Sequence, residues 1–222
     1  MTSNATLCST WRLYVIIDGE AIGARSPLDV AAAAIRGGAD VLQLRLKTAS
    51  TRECITRGQQ MLALARPAGV PLIINDRVDV AIAVGADGVH LGQEDLPPRI
   101  ARTLVGPGRL IGLSTHSLEQ ALTAQREPID YFGVGPIFST PTKPAYPSVG
   151  VGLIRQVAAA ARLPFVCIGG IDAQTLPEVR AAGARCVAVV RAVCAASDPE
   201  SATRHLKHLL TDSADKTQRL RL

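Results

Sequence analysis

The sequence predicts a single α/β domain folded as a closed (β/α)8 barrel, and three observations carry that expectation. Eight short aliphatic runs alternate with segments of helical character, at a repeat of about 25 residues. Ala, Val, Leu and Ile dominate a composition that is 47% hydrophobic but only 3% aromatic, as suits parallel strands covered on both faces. Polar residues able to do chemistry fall at the C-terminal ends of the aliphatic runs, where a barrel gathers its functional groups. A length of 222 residues fits one large domain. A doubly wound sheet is the alternative, but the number of units exceeds its usual version.

Residues 1–11 read as a loose arm, 12–210 as the barrel and 211–222 as a polar, disordered tail. The first strand is Leu13 to Ile17, ending at Asp18. Ser26-Pro27 starts an alanine-rich helix to Ile35, since Pro suits a first helical turn, and Gly37-Gly38 closes it. The second strand, Val41 to Lys47, alternates. Leu42, Leu44 and Leu46 face one way, and Gln43, Arg45 and Lys47 face the other. In a barrel the polar set points inward and up to the open end. A helix follows from Thr51 to Ala65. Leu72 to Ile74 is the third strand, Val78 to Val84 a helix stopped by Gly85, and Gly88 to Gly92 the fourth strand. Arg99 to Leu104 is a short helix. Leu110 to Leu113 leads into Ser114-Thr115-His116, and Leu118 to Gln125 is helical. Tyr131 to Val134 is followed by a long Pro-rich loop, Gly135 to Gly150. A helix from Leu153 to Ala161, a strand from Phe165 to Ile168, and a helix from Leu176 to Ala182 come next. Cys186 to Val190 is the last strand, and Asp198-Pro199-Glu200 opens a last helix ending near Leu210.

The net charge of +5 welcomes phosphorylated small-molecule substrates. No basic block interleaved with aromatics points to nucleic acid, and no apolar run has the length of a membrane span. Five cysteines without CxxC spacing argue against a disulfide framework or a zinc site. Cys167 and Cys186 sit in aliphatic runs, as small core residues do. The N-terminus lacks the pattern of a signal peptide, so the expected setting is cytoplasmic. A homo-oligomer is compatible with the sequence.

The stretch Pro71 to Asp95 reads as strand, helix, strand. Parallel strands put Asp76 and Asp95 at the same end of one sheet, a plausible site for a hard cation such as Mg²⁺. Both residues also precede helices, where carboxylates cap well. Gly169-Gly170 offers backbone N–H groups to an anion at the start of the following helix, or else forms a tight turn. The long loop supplies Thr140, Thr142 and Lys143. His90, inside a strand, reads as a packed residue, and His116 as a weak acid–base candidate. No Ser-His-Asp or Cys-His set stands out. Cations and a metal around phosphate favour electrostatic stabilisation of a leaving group.

These residues resemble the thiamine phosphate synthase family. The matching stretches are QLRLK at 43–47, INDRVDVA at 74–81, ADGVHLGQEDLP at 86–97, GLSTHS at 112–117, GVGPIFSTPTK at 133–143, IGGI at 168–171 and VAVVRA at 187–192. They stand in the family's order and span the chain from Leu13 to Leu210. The resemblance implies a transferase. It joins hydroxymethylpyrimidine diphosphate to hydroxyethylthiazole phosphate, its carboxylated form included, and releases pyrophosphate. It implies that Asp76 and Asp95 hold Mg²⁺. It further implies that Gln43, Arg45, Lys47, Asn75 and Lys143 serve the pyrimidine diphosphate, with Ser114 near it. Of these, Arg45, Lys47, Lys143 and Ser114 are the catalytic candidates. Thr140, Thr142, Gly170, Val190 and Arg191 would serve the thiazole phosphate. Leu46 stands where an acid is common, Ser139 where Pro is frequent and Arg191 where Ser is most familiar. The related thiazole tautomerases lack the second Asp and carry His where this chain has Pro136. Asp95, Pro136 and Thr142-Lys143 therefore favour the synthase, and a non-catalytic paralogue would have lost some of the ionic residues.

Overall fold

A computed structural model describes residues 4–140 and 147–219, with side chains described as far as residue 211. Its strands, all parallel, are β1 (Leu13–Asp18), β2 (Val41–Arg45), β3 (Leu72–Asn75), β4 (Gly88–Leu91), β5 (Leu110–Thr115), β6 (Tyr131–Val134), β7 (Phe165–Ile168) and β8 (Cys186–Val189). They close into a barrel in sequence order, β8 pairing back to β1 through Leu13↔Val187 and Val15↔Val189. The helices α2 (Pro27–Arg36), α3 (Thr51–Ala65), α4 (Val78–Val84), α5 (Pro98–Val105), α6 (Leu118–Ala124), α7 (Gly150–Ala160) and α8 (Leu176–Ala181) connect them in turn. After β8 come α9 (Arg191–Cys194) and α10 (Pro199–Arg219). The predicted (β/α)8 barrel is what forms.

Local chemistry sets the boundaries. The side chains of Ser26, Ser50 and Ser117 accept from backbone N–H groups in the first turns of α2, α3 and α6. Gly85 stops α4 with φ 71°, a left-handed conformation that costs a residue with a Cβ. The strand starts are clamped by a repeated device. The Asp before each of β2, β4 and β6 accepts from amides at the start of the strand preceding it. Asp40 takes the N–H groups of Arg12 and Leu13 at 2.8 and 2.9 Å, Asp87 takes Leu72 at 2.9 Å, and Asp130 takes Ile111 at 2.7 Å.

Outward strand residues such as Leu42, Val89 and Val187 pack under the helices. Inward residues form a second, smaller cluster with Tyr14, Ile73, Tyr131 and Val166 inside the barrel. Glycine makes that interior possible. A Cβ on Gly112 would lie 2.3 Å from the Tyr131 ring and 2.4 Å from His90, and one on Gly88 would lie 2.5 Å from the Leu110 carbonyl. The five cysteines are free and buried, and burial pushes the Cys167 thiol up to about 12. Among the described residues no helix is long and apolar enough to cross a membrane.

Both ends of the chain differ from expectation. The loose arm is α1 (Asn4–Thr10), whose Cys8 is buried, followed by Trp11 at 2% exposure. The indole meets Tyr14 and Tyr131 edge-on at centroid distances of 5.9 and 5.3 Å and so plugs the barrel floor. One apolar turn docked on a cavity outweighs the polar composition around it. At the other end α10 runs on to Arg219, past the expected helix end near Leu210, and TDSADKTQR holds no Gly or Pro to break it.

Trp11→Ala should lower unfolding free energy by roughly 3–5 kcal/mol, as for other buried large-to-small changes. Urea denaturation measures this, and a loss below about 1 kcal/mol would show that the floor does not need the plug. The last described buried position of α10 is Leu210. Truncation after Thr211 should therefore leave the melting temperature unchanged, and a clear drop would reveal packing by the final turns.

Candidate active site

At the C-terminal mouth lies a cavity of about 490 Å³. Gln43, Arg45, Asn75, Ser114, Thr140, Gly170, Val190 and Arg191 all line it, so the strand-end residues singled out in the sequence do converge. Lys47, Asp76 and Asp95 stand outside that wall, on the β2–β4 side. Thr142 and Lys143 lie outside the described residues.

The alternation of β2 holds. Gln43 and Arg45 point inward at 2% and 8% exposure. Lys47, just beyond the strand, is exposed and pairs with Asp76. Leu46, on the other face, packs against the outer core, which explains why an acid can be absent there. Arg45 is held by Asp18 at the end of β1. Asp18 is itself 1% exposed and accepts from the amides of Glu20 and Ala21 at 2.9 and 3.2 Å. With three donors converging on it, the buried carboxylate fixes the guanidinium in place. Arg45 Nε is nevertheless buried with no partner among the described residues. A charged donor of that kind in a cavity wall is costly until an acceptor arrives.

Asp76 and Asp95 are not helix caps. The N-cap of α4 is Arg77 and that of α5 is Pro97, and neither helix has a side-chain cap bond. Asp76 is the one non-glycine among the described residues with positive φ, at 61°. Its amide donates to the His90 carbonyl at 2.8 Å, while Arg77 N–H reaches back to Asn75 at 2.7 Å. This strained turn aims the carboxylate across β4. Asp95 accepts from Gly92 N–H at 2.6 Å and faces Asp76. Burial first, and then the Asp76 carboxylate, raise the Asp95 carboxyl above its ordinary value, against the opposing pull of the Gly92 amide and Lys47. Two carboxylates that resist joint ionisation form a donor set that an oxygen-seeking cation would relieve. Among the described residues no cluster of three or more His, Cys, Asp or Glu forms, so an ion here would complete its shell from substrate and water.

The opposite side of the mouth is built from backbone. Gly169 and Gly170 have φ of 105° and 63°, and Cβ atoms there would lie 2.5 Å from Pro136 and 2.8 Å from Phe138. They admit the β6 loop, whose Ile137 and Phe138 amides donate to Ile168 and Gly169 at 2.8 and 3.0 Å. The pair is not at a helix start, as the sequence suggested. α8 begins at Leu176, and Asp172 accepts from Gln174 and Thr175 just before it. His116 donates from Nδ1 to the Gly135 carbonyl at 2.5 Å, which ties the loop base.

Sequence reasoning passed over Asp18, Tyr14, Tyr131 and the role of His90. His90 lines the cavity, with Nε2 at 3.0 Å from Ser114 Oγ and Nδ1 at 3.1 Å from the Tyr131 hydroxyl. The signal was the alternation used on β2. Val89 and Leu91 are outward aliphatics, so His90 faces in, and the same parity turns Tyr14 and Asp18 inward from Leu13, Val15 and Ile17.

Comparison with known proteins agrees with this architecture. The family model described as thiamine monophosphate synthase matches residues 13–193. A thiamine-phosphate synthase of Chloroflexus aurantiacus is 49% identical over 207 residues, 93% of this chain and 95% of that protein. One of a Roseiflexus species is 46% identical, covering 93% and 88%. The solved thiamine phosphate pyrophosphorylase of Pyrococcus furiosus superposes with a TM-score of 0.85 at 36% identity, covering 93% of this chain and 98% of that one. A 3-hexulose-6-phosphate synthase, 20% identical with a TM-score of 0.68, shares the fold alone. The chain belongs to the thiamine monophosphate synthase family.

Proposed function

We propose that the chain joins hydroxymethylpyrimidine diphosphate to hydroxyethylthiazole phosphate, giving thiamine phosphate and pyrophosphate. The observation that carries this reading is the ionic rim. Asp76 and Asp95 face each other beside Lys47, and Arg45 keeps a buried Nε without a partner among the described residues. Such a rim suits a diphosphate. The cavity wall behind it holds no cysteine, and the buried thiols lie elsewhere. In this reading the reaction passes through no covalent enzyme intermediate. The C–O bond to the diphosphate breaks, the amino-substituted pyrimidine holds the resulting carbocation, and the thiazole nitrogen donates its lone pair to close the C–N bond.

Arg45 and Lys47 bind the diphosphate oxygens and gain strength as negative charge builds on the leaving group. Asn75 and Ser114 supply neutral polar contacts, Gln43 meets the pyrimidine, and Lys143 adds a cation from the long loop. The thiazole phosphate is served by Gly170, Val190, Arg191 and Thr140, and Thr142 contributes a hydroxyl from the long loop. Asp76 and Asp95 would hold Mg²⁺. When bound, the ion supplies the positive charge that lets two carboxylates stand beside a diphosphate. Two unit charges about 4 Å apart at an effective dielectric of about 20 interact by about 4 kcal/mol. The free, buried thiols support a reducing, cytoplasmic setting.

Incubating both phosphorylated substrates with Mg²⁺ and assaying for thiamine phosphate tests the reading directly. Chelator should abolish product and Mg²⁺ should restore it. Asp76→Asn and Asp95→Asn should each cripple turnover, with the double variant little worse, because residues acting as a unit are non-additive. Full, metal-independent activity in both single variants would remove the metal site. Arg45→Ala or Lys47→Ala should lower kcat/KM by about 10²–10³. Near-normal kinetics would mean that these cations do not meet the leaving group.

A further inference from the structure

A line of polar contacts crosses the cavity floor. Gln43 Nε2 donates to the Tyr14 hydroxyl at 2.8 Å. The Tyr14 and Tyr131 hydroxyls lie 3.1 Å apart. Tyr131 is 3.1 Å from His90 Nδ1, and His90 Nε2 is 3.0 Å from Ser114 Oγ. Tyr14 and Tyr131 are buried, and burial holds both phenols protonated. Gln43 and Ser114, the two ends, both face the cavity from different walls.

Each link in such a line has one proton, so the links share one direction. With Gln43 donating to Tyr14, the Tyr14 proton goes to Tyr131. The Tyr131 proton goes to Nδ1, and His90 is left as the Nε2–H tautomer, donating to Ser114 Oγ. Ser114 then offers its own O–H to the cavity, and Gln43 offers its carbonyl Oε1. If Gln43 turned its carbonyl to Tyr14, every proton would reverse. Gln43 would present N–H, and Ser114 would spend its proton on His90 and present only lone pairs. A mixed order would set two protons or two lone pairs against each other inside the barrel, at the cost of a lost hydrogen bond.

We propose that Tyr14, Tyr131 and His90 are positioning residues that couple the hydrogen-bond polarity of Gln43 to that of Ser114. The site thereby selects a pyrimidine carrying an exocyclic amino group over one carrying an oxo group. This rests on the assignment of the cavity to a pyrimidine diphosphate. An amino group donates to Gln43 Oε1 while Ser114 donates toward the diphosphate side. An oxo group would stand lone pair to lone pair with Gln43 Oε1 until the amide reversed, and the line would then withdraw the Ser114 donor. Neither end can adapt alone.

Tyr131→Phe removes the central hydroxyl and keeps the ring packed on Trp11. Tyr14→Phe breaks the line one link earlier and serves should the first variant fold poorly, melting temperature reporting on each. The readout is the ratio of kcat/KM for the aminopyrimidine diphosphate to that for its oxo analogue. In the intact protein the ratio should be large, because a site built around one hydrogen-bond pattern rejects its inverse strongly. In either folded Phe variant it should fall by about tenfold or more, since Gln43 is then free to turn without Ser114. Parallel losses on both substrates, or an unchanged ratio, would overturn the coupling. Failure of the wild-type chain to use the aminopyrimidine at all would overturn the proposed function and this inference with it. Wild-type turnover with an unmoved ratio overturns the coupling alone.

Discussion

The space inside an eight-stranded parallel barrel is the constraint on which this structure turns. Such a barrel has room only for a few inward side chains, and they must fill it. Here the inward positions of β4, β5 and β6 include Gly88, Gly112 and Gly133, and the volume that Gly112 and Gly133 give up is taken by Tyr131 and His90. Aliphatic filling would have sealed the interior. Polar aromatics instead carry hydrogen bonds from the floor to the cavity, and Trp11 closes the barrel beneath them. The mouth is thus supported by a structured polar base.

Around that base the mouth divides its labour by chemistry. The β1–β4 side is ionic, with Asp18, Arg45, Lys47, Asp76 and Asp95 linked through salt bridges and facing carboxylates. The β6–β8 side is mostly backbone, with Gly169 and Gly170 bent to receive the β6 loop. Side-chain charge on one side and backbone on the other give one mouth two different chemical environments. Arg191, exposed at the cavity edge, brings a cation to the second side.

Much of this was legible in the sequence because strand parity and strand ends are local patterns. The run VLQLRLK announced that Gln43 and Arg45 face inward, and βαβ geometry placed Asp76 and Asp95 at one end. His90 was equally available in GVHLG, but a histidine between aliphatics looks like packing until the fold shows that its face is the inside. Asp18 was hidden differently, since nothing in YVIID says that its partner is a guanidinium on the next strand. Helix α1 escaped because its role depends on a barrel floor that exists only after closure. The reach of α10 depends on what the tail lacks, breakers, more than on any apolar period.

The plug at the barrel floor has an optical consequence. Trp11 is the only tryptophan in the chain and lies within ring contact of both Tyr14 and Tyr131. Excited Tyr14 and Tyr131 hand their energy to the nearby indole, so indole emission originates at one known point beneath the cavity. That indole reads the protein from the side opposite the mouth, without a label and without obstructing it. Events at the ionic rim become visible in its spectrum to the extent that the floor responds to them.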